Sequence, residues 1–575
     1  MRNRFGAVAT VIVVTGAILT FTGAPSQAGP RGRFGIDAKP GRPHLSGAAD
    51  AKFMNATGGV TATQQLAGTA AAGPSDDVQA NGDNKANPFD RFGNGAGMPQ
   101  NETSIAINPT NPKNVIASAN DYERGVDSTM GLYVSFDGGK TFPFSRQARN
   151  VITPDRAMLG SGDPVVTFDR DGVAYAVFIS FARATFDSYI AVSRSTDGGL
   201  TWSVPLDGPA PGGSLMTPGD GIAAHNGGPD DAEIFHDKEW AVTGPRPAGV
   251  PLVPGTDQGH VSPDRLYVTW TKFVSAPDGS VVESPIVISY SDDQGRHWSP
   301  MHEISGSAPF CTVQNGDQDG TACDEDQFSV PVVDHRTGTV YVAFENANTD
   351  GQLKNRYAVV ASTDGGATFS APTFVSDVFD GATKYPICQG SQTLDLMCGR
   401  INAAGNLDID QRTGRLYVSF ADNRNGTAAD TNNDVFVTSS GDGGRTWSQP
   451  VNLTADSIDD QIYPWLSVTP DGVVAVAYFD RRYSGPKLMD TSLSVSTNDG
   501  RTFSTRRVSD RSWNPDLAFR LGFFFGDYNG LATVRGVAIP LWTDARFAEP
   551  NVTDNNPPNQ QSDVMIDVEQ IPTRR

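Results

Sequence analysis

Three copies of an aromatic-x-Asp-x-Arg pattern carry the residues of this sequence best suited to bind an anion. Their arginines are Arg424, Arg482 and Arg546, each two residues after an aspartate. A guanidinium directs two N–H donors toward one carboxylate, so three of them on one face would bind a carboxylate-bearing ligand. The alternative is that each arginine pairs with its own aspartate and braces a loop. Both interpretations are compatible with the sequence.

An acid or an amide recurs at the entry to seven strand-like runs. If these runs surround one axis, the side chains form a ring at a channel mouth that could hold cations or the polar groups of a substrate. The alternative is that each carboxylate bonds the backbone of the neighbouring unit. The seven residues are Glu102, Asp163, Asp237, Asp326, Asn402, Asp460 and Asp527.

The stretch 315–326 spaces its oxygen donors as a calcium loop does. Asp317 and Asp319 alternate ahead of a glycine, and Asp326 stands at the twelfth position. Calcium binds several carboxylate and carbonyl oxygens, which such alternation supplies. The loop begins with Asn315 and no helices flank it, so a solvated acidic loop is the alternative. No motif of the sequence requires a cofactor, and calcium is the one candidate ion.

Four cysteines stand in two close pairs, Cys311 with Cys323 and Cys388 with Cys398. In an oxidising compartment each pair would close a short loop as a disulfide. A zinc site built from all four cysteines is the alternative.

An eight-residue repeat of the form Ser-x-Asp-x-Gly-x-Thr-aromatic marks the elements that must position these residues. Its aspartate accepts backbone N–H groups across a tight turn, its glycine permits a positive φ, and its aromatic ring buries between sheets. Two copies are degenerate, with His297 in the threonine position and Asn498 in the aspartate position. The six copies span 135–142, 195–202, 291–298, 362–369, 440–447 and 496–503.

Short runs of alternating Val, Ile, Tyr and Phe recur between these repeats from Glu102 onward. This period predicts antiparallel strands, and the strand runs group into seven units. The prediction is an all-β propeller of four-stranded antiparallel blades, with seven blades and six as the alternative. A strand near 87–99 is expected to complete the last blade and close the ring.

The eight-residue repeat resembles the Asp-box, or BNR, repeat of the sialidase (neuraminidase) superfamily over most of residues 100–570. The resemblance implies a sialidase-like propeller that binds its ligand on the face opposite the repeats. It also implies a late tyrosine nucleophile and an acid from the first blade, for which the candidates are Tyr528 and either Asp121 or Asp127. The three arginines above and Asp527 are the matching candidates for substrate binding.

The sequence departs from the sialidase pattern in one respect, because the Arg-Ile-Pro motif ahead of the first blade is missing. Its nearest counterpart is Arg400-Ile401-Asn402, which lies in the fifth unit. The hypotheses are therefore an exo-α-sialidase-type glycoside hydrolase, a non-catalytic glycan- or protein-binding propeller, and a hydrolase or lyase that uses a metal.

The N-terminal residues carry export signals. Arg2 and Arg4 precede an apolar run at 7–21 and a small-residue cleavage site, which indicates a signal peptide over 1–28. Residues 29–98 are rich in Gly, Ala, Pro and Asn and are predicted to be a flexible segment, with the propeller over 99–571. No second apolar stretch is long enough for a transmembrane helix. A secreted, extracellular monomer is expected.

The net charge of the chain restricts the classes of molecule that it is expected to bind. It has 44 Lys and Arg against 65 Asp and Glu, a formal net charge of −21. Such acidity argues against nucleic acid, whose phosphates require basic patches. An extracellular glycan or glycoprotein is the expected partner.

Overall fold

Alternating β-branched and aromatic residues form antiparallel strands throughout the part of the chain that the computed structural model describes. The described residues are 77–81, 99–122, 128–153, 158–182, 187–207, 221–225, 234–276, 281–312, 321–346, 354–379, 393–397, 399–402, 405–427, 430–485, 487–518, 524–548 and 561–574. The one helical element among them is a short 3-10 turn, Pro515–Leu517, and no described helix is long and apolar enough to cross a membrane.

The strands form seven antiparallel sheets, which confirms the predicted seven-bladed propeller. Blade 1 consists of Gln100–Ile107, Val115–Asp121, Thr129–Ser135 and Phe144–Gln147. Blade 2 consists of Gly160–Phe168, Ala174–Phe181, Ser188–Ser195 and Ile222–His225. Blade 3 consists of Ile234–Pro245, Asp264–Ser275, Ile286–Ser291 and His302–Glu303, with Val281–Glu283 paired to its second strand.

The next three blades repeat the same four-strand order. Blade 4 consists of Asp326–Asp334, Thr339–Asn346, Lys354–Ser362 and Thr373–Phe379. Blade 5 consists of Leu407–Asp410, Arg415–Asp422, Asp434–Ser440 and Val451–Asn452. Blade 6 consists of Gln461–Val468, Val474–Asp480, Asp490–Ser496 and Ser504–Arg507.

Blade 7 combines both ends of the described chain. Its strands are Gly530–Val534, Val537–Asp544 and Asp563–Ile566, with Val78–Gln79 paired to the third and Glu569–Gln570 to the second. An N-terminal strand therefore completes the last blade, as predicted, and it is Val78–Gln79; of the predicted range 87–99 only Pro99 lies within the described residues. Val78–Gln79 lies within the segment predicted to be flexible. A strand of two residues is too short to show an alternating pattern in the sequence.

The first strand of each blade lies innermost. The first strands of consecutive blades lie against one another, and that of blade 7 lies against that of blade 1, which closes the ring. Buried aromatic and β-branched side chains fill the space between the blades, among them Trp270, Tyr267 and Trp542. The turns after the first and third strands share one face, and the entries to the first strands share the other.

The eight-residue repeats form the hairpins between third and fourth strands. In the first copy the Asp137 carboxylate accepts bonds from the Thr141 N–H at 3.0 Å and the Thr141 hydroxyl at 2.7 Å. His297 replaces threonine in blade 3, and its Nδ1 lies 2.6 Å from an oxygen of Asp293. The degenerate copy therefore keeps the turn with a different donor.

One predicted disulfide is present. Cys311 and Cys323 are bonded, with their Cα atoms 5.2 Å apart. Cys388 and Cys398 lie outside the described residues.

Candidate functional site

The same irregularity interrupts the first strand in five of the seven blades. At each place the pairing with the second strand shifts, and the residue at the shift has a positive φ of 53° to 57°. Such a conformation costs a non-glycine residue about 1 to 3 kcal/mol, and strain of this kind concentrates at functional sites. The five residues are Glu102, Asp163, Lys238, Phe328 and Tyr463.

Lys238 is the centre of the resulting group of side chains. Its Nζ lies 3.2 Å from Glu102, 3.7 Å from Asp163 and 3.0 Å from Asp527, so one ammonium contacts carboxylates of blades 1, 2 and 7. The same atom lies 4.7 Å from the ring centroid of Tyr528 and is buried. We call this group the Lys238 centre.

Asp527 is the ionised member of the centre. Arg400 binds it with two N–H groups at 3.0 and 2.6 Å, and the Tyr463 hydroxyl donates to the Arg400 carbonyl at 2.7 Å. Burial acts to raise the pKa of Asp527, but Arg400 and Lys238 together hold that pKa below its ordinary value.

Glu102 and Asp163 behave in the opposite way. Burial, reinforced by the charge of Asp163, raises the pKa of Glu102 well above its usual range. Burial also raises the pKa of Asp163 to about 6, although Lys238 opposes it. Glu102 hydrogen-bonds to Asp163, and no fixed donor among the described residues reaches either Asp163 oxygen. The pair therefore shares a proton that Glu102 carries near neutral pH.

Two further polar groups of the centre lack partners. The Tyr528 hydroxyl and both carboxylate oxygens of Glu239 are buried, with no hydrogen-bond partner among the described residues. Burial, then the charge of Asp163, raises the pKa of both groups well above their usual ranges, which favours the protonated form of each. An unmade hydrogen bond of this kind costs about 1 to 3 kcal/mol.

Aromatic rings separate the centre from a cavity in the axis. The ring centroids of Trp240 and Trp465 lie 4.5 Å apart, and that of Tyr528 lies 5.6 Å from Trp240. The cavity has a volume of about 780 Å³ and is lined by the first strands of all seven blades. Its polar lining includes Asn406 and Ser467. A volume of this size accommodates a small oligosaccharide or a comparable ligand.

Gly526 positions the last part of the centre. Its φ is +101°, and a Cβ at this position would lie 2.8 Å from the Glu102 backbone nitrogen. Only glycine therefore lets the segment carrying Asp527 and Tyr528 approach blade 1 this closely.

The predicted acidic ring is correct in three of seven members. Glu102, Asp163 and Asp527 meet at Lys238. In blades 3, 4 and 6 the residue at the bulge stands one to three positions after the predicted acid. Lys238 takes the place predicted for Asp237, Phe328 that of Asp326, and Tyr463 that of Asp460. Asp460 instead pairs with Arg481 at 2.6 Å, Asp326 accepts from Asn346 at 2.7 Å, and Asn402 donates to the Asp527 carbonyl at 3.2 Å.

The three predicted arginines follow the alternative in which each pairs with its own aspartate. Arg424 binds Asp422 at 2.6 Å, and Arg482 binds Asp480 at 2.8 Å. Arg546 binds Asp544 at 2.6 Å and also contacts Asp77 and Asp510. Within the described part of the chain the three arginines share no partner, and none of them contacts the Lys238 centre.

The remaining candidates lie in different places. Tyr528 belongs to the centre. Asp121 is buried in blade 1 and accepts from the Gln100 side chain at 3.1 Å, whereas Asp127 lies outside the described residues.

Two of the three calcium candidates, Asp317 and Asp319, also lie outside the described residues. Among the residues that are described, no group of three or more His, Cys, Asp or Glu side chains has the geometry of a metal site. Calcium at this loop stays a prediction.

Sequence reasoning missed Lys238 and Glu239. Aligning the first strands on their bulges would have placed Lys238 beside Glu102 and Asp163. Arg400 was noted only as part of the nearest counterpart of the Arg-Ile-Pro motif, and in the structure it reaches Asp527 from the segment that enters blade 5.

Comparison with known proteins shows likeness of fold alone. No family model and no curated protein matches the chain. Similar solved structures include a protein of unknown function from Dyadobacter fermentans DSM 18053, at 11% identity and a TM-score of 0.41, covering 86% of this chain and 98% of that one. The Hadza microbial sialidase Hz136 matches at 12% and 0.38, covering 79% and 76%. An ulvan lyase matches at 11% and 0.42, covering 83% and 95%. Identities this low do not transfer chemistry.

Proposed function

We propose that this chain is an acid–base enzyme that cleaves glycans, with the Lys238 centre as its catalytic site. The observation that carries the proposal is the set of buried polar groups without partners, the Tyr528 hydroxyl and the Glu239 carboxyl. Each costs stability, and so does the strained backbone of Glu102, Asp163 and Lys238. A fold keeps such groups where a substrate completes their hydrogen bonds.

The shifted pKa values divide the roles in this proposal. Glycoside cleavage needs one group that protonates the leaving oxygen and a second that supports the positive charge on the sugar ring. Glu102 keeps its proton and is the acid. Asp163, with a pKa of about 6, is the base with which Glu102 shares that proton. Asp527 stays ionised and stabilises the developing cation.

Tyr528 acts in this scheme as a hydrogen-bond donor and not as a phenolate nucleophile. Its pKa lies well above the ordinary value, and Lys238 faces its ring and not its hydroxyl. The resemblance of the repeats favours an exo-α-sialidase-type hydrolase, whereas these roles fit other glycosides equally. We propose in addition that the protein is secreted and acts on an extracellular glycan.

A non-catalytic glycan- or protein-binding propeller is the second candidate. It is favoured by the burial of Lys238 and of its three carboxylates, because ion pairs of this kind also brace the blades against one another.

The test is a panel of fluorogenic glycosides that includes an α-sialoside, incubated with the full chain. The wild type is compared with Glu102→Gln, with Tyr528→Phe and with Asp171→Asn, a control at the exposed turn after the first strand of blade 2. Acid–base catalysis predicts a loss of at least about 100-fold for Glu102→Gln and full activity for the control. Binding of a glycan without any cleavage would favour the binding propeller, and equal activity of Glu102→Gln and the wild type would show that Glu102 is not the catalytic acid.

A further inference from the structure

We infer that the Lys238 centre selects a saccharide bearing a protonated amine over its neutral and carboxylate-bearing counterparts. This inference rests on the proposed function, because it takes the same centre as the place where the glycan binds. The argument about the ligand itself comes from charge, hydrogen-bond inventory and the environment of Lys238.

Carboxyl groups outnumber cations at the centre. Lys238 contacts three of them, and two more are carried by its neighbours in the chain, Asp237 and Glu239. Among the described residues the second cation is Arg400, which is already bound to Asp527 by two hydrogen bonds. A carboxylate on the ligand would face Asp527, which is ionised, and Asp163, and both cations are already paired with carboxyl groups, which disfavours acidic sugars.

The carboxyl oxygens without partners can accept hydrogen bonds from a ligand. Both oxygens of Glu239 lack a partner, and both oxygens of Asp163 lack a fixed donor among the described residues. An ammonium supplies three N–H donors and no acceptor, so it satisfies such a set better than an amide or a hydroxyl does. A charge-assisted hydrogen bond is also roughly twice as strong as a neutral one.

Lys238 shows that this environment holds an ammonium. Its Nζ is stabilised by carboxylates at 3.0 and 3.2 Å and by the ring faces of Tyr528 and Phe328 at 4.7 and 5.1 Å. Trp240 and Trp465 extend the aromatic surface toward the cavity. Aromatic faces attract a cation and also pack against a sugar ring, so an amino sugar matches both parts of the site.

Binding of an ammonium should also release a proton. Burial raises the pKa of Glu239 and so favours its protonated form, whereas a cation beside this carboxyl favours the ionised form. A neutral saccharide of the same length would leave Glu239 protonated, so proton release distinguishes the two modes of binding.

The experiment is isothermal titration calorimetry of the full chain at about pH 6, where sugar amines are protonated. The ligands are the glucosamine trisaccharide, its fully N-acetylated counterpart and a sialylated trisaccharide. We expect the free amine to bind at least tenfold more tightly than the N-acetylated sugar, and the sialylated sugar most weakly. Repeating the titration in buffers of different ionisation enthalpy measures the released proton.

Glu239→Gln provides the matched variant, with Asp171→Asn as the exposed control. The Gln side chain should remove the proton release and reduce the ratio of the two affinities, for the free amine and for the N-acetylated sugar, from at least tenfold to about one. Equal or tighter binding of the N-acetylated or the sialylated sugar would overturn the inference, as would absence of binding by all three. Calorimetry measures binding, so the amine preference can be tested even if the protein cleaves no glycoside. Cleavage of N-acetylated substrates alone would contradict the amine preference and not the proposed catalysis.

Discussion

Lys238 of blade 3 and Asp527 at the entry to blade 7 form a buried ion pair at 3.0 Å across the axis of the propeller. Blades 3 and 7 are not neighbours in the ring, in which the main strand-to-strand contacts join consecutive blades. Glu102 and Asp163 bind the same ammonium from blades 1 and 2. The centre therefore links four blades through one nitrogen atom.

Replacing Lys238 by methionine should destabilise the fold through this link. The substitution keeps the length of the side chain but removes the ammonium from three buried carboxyl groups, of which, among the described residues, Asp527 alone keeps a second cation, Arg400. Removing one partner of a buried ion pair costs about 3 to 5 kcal/mol. The cost should be smaller at acidic pH, where Glu102 and Asp163 are neutral. Urea unfolding at about pH 5 and pH 8 measures the difference.

Lys113→Met is the control for this variant, because Lys113 is exposed in a turn of blade 1. Its free energy of unfolding should change by no more than about 0.5 kcal/mol. A similarly small change for Lys238→Met at both pH values would show that the centre does not hold the blades together.

Tyr528→Phe should separate activity from stability. The hydroxyl has no partner among the described residues, so its removal relieves a buried polar group and should leave the melting temperature equal or higher. Cleavage or binding of the glycan should fall, since the donor is lost. Differential scanning calorimetry and the glycoside panel measure the two effects.

Tyr175→Phe is the matched comparison, because the Tyr175 hydroxyl donates to Asp169 at 3.0 Å in the turn that follows the first strand of blade 2, whereas Asp163 lies near the beginning of that strand. It should lower stability by about 1 kcal/mol and leave activity intact. A drop in melting temperature for Tyr528→Phe as large as that for Tyr175→Phe would show that the Tyr528 hydroxyl has a structural partner.

The sequence predicted the blades well because their signals are local. The eight-residue repeat and the alternating runs each lie within one hairpin, and both appear as predicted. The centre depends on bulges, which insert a residue without leaving a pattern in the sequence. Glu102 and Asp163 were identified because in blades 1 and 2 an acid stands at the bulge itself. In blade 3 the acid Asp237 precedes the bulge residue Lys238, so the search for acids selected Asp237. Arg400 is positioned by tertiary contacts alone.

Stability should increase as the pH falls from about 8 to 5. Burial raises the pKa of Asp163 and Asp408 to about 6, and that of Asp563 and Glu345 to about 7, all above their unfolded values. A raised carboxyl pKa means that the folded state holds its proton more tightly, so stability is present at low pH and is lost as the pH rises through 6 to 7.

One buried group opposes this trend. Burial lowers the pKa of His236 to about 3, so its contribution to stability is lost as the pH falls below its unfolded value. The four carboxyl groups outweigh one histidine, and the melting temperature should be roughly 5 °C or more higher at pH 5 than at pH 8. Thermal unfolding across this range measures the slope, and a flat or opposite slope would contradict the raised pKa values.

The contact between Asp77 and Arg546 should control how firmly the N-terminal strand is held. Arg546 donates to Asp77 at 2.7 Å, and the Asp510 N–H donates to the same oxygen at 3.1 Å. Next to this contact, the Ala80 N–H bonds the Val564 carbonyl at 2.8 Å. Asp77→Asn removes the charge while keeping the shape, so the strand should open more often and the Ala80 amide should exchange faster with solvent.

Hydrogen exchange followed by mass spectrometry measures this opening, and a double-mutant cycle with Arg546→Gln isolates the pair. We expect a coupling of about 1 to 3 kcal/mol near pH 8. The pKa of Asp77 is raised by burial to about 7, so the carboxyl gains a proton below that pH and the coupling should shrink near pH 6. Asp171→Asn should leave the exchange of the Ala80 amide unchanged. Equal exchange rates for Asp77→Asn and the wild type at pH 8 would mean that the backbone bonds of blade 7 hold the strand without the ion pair.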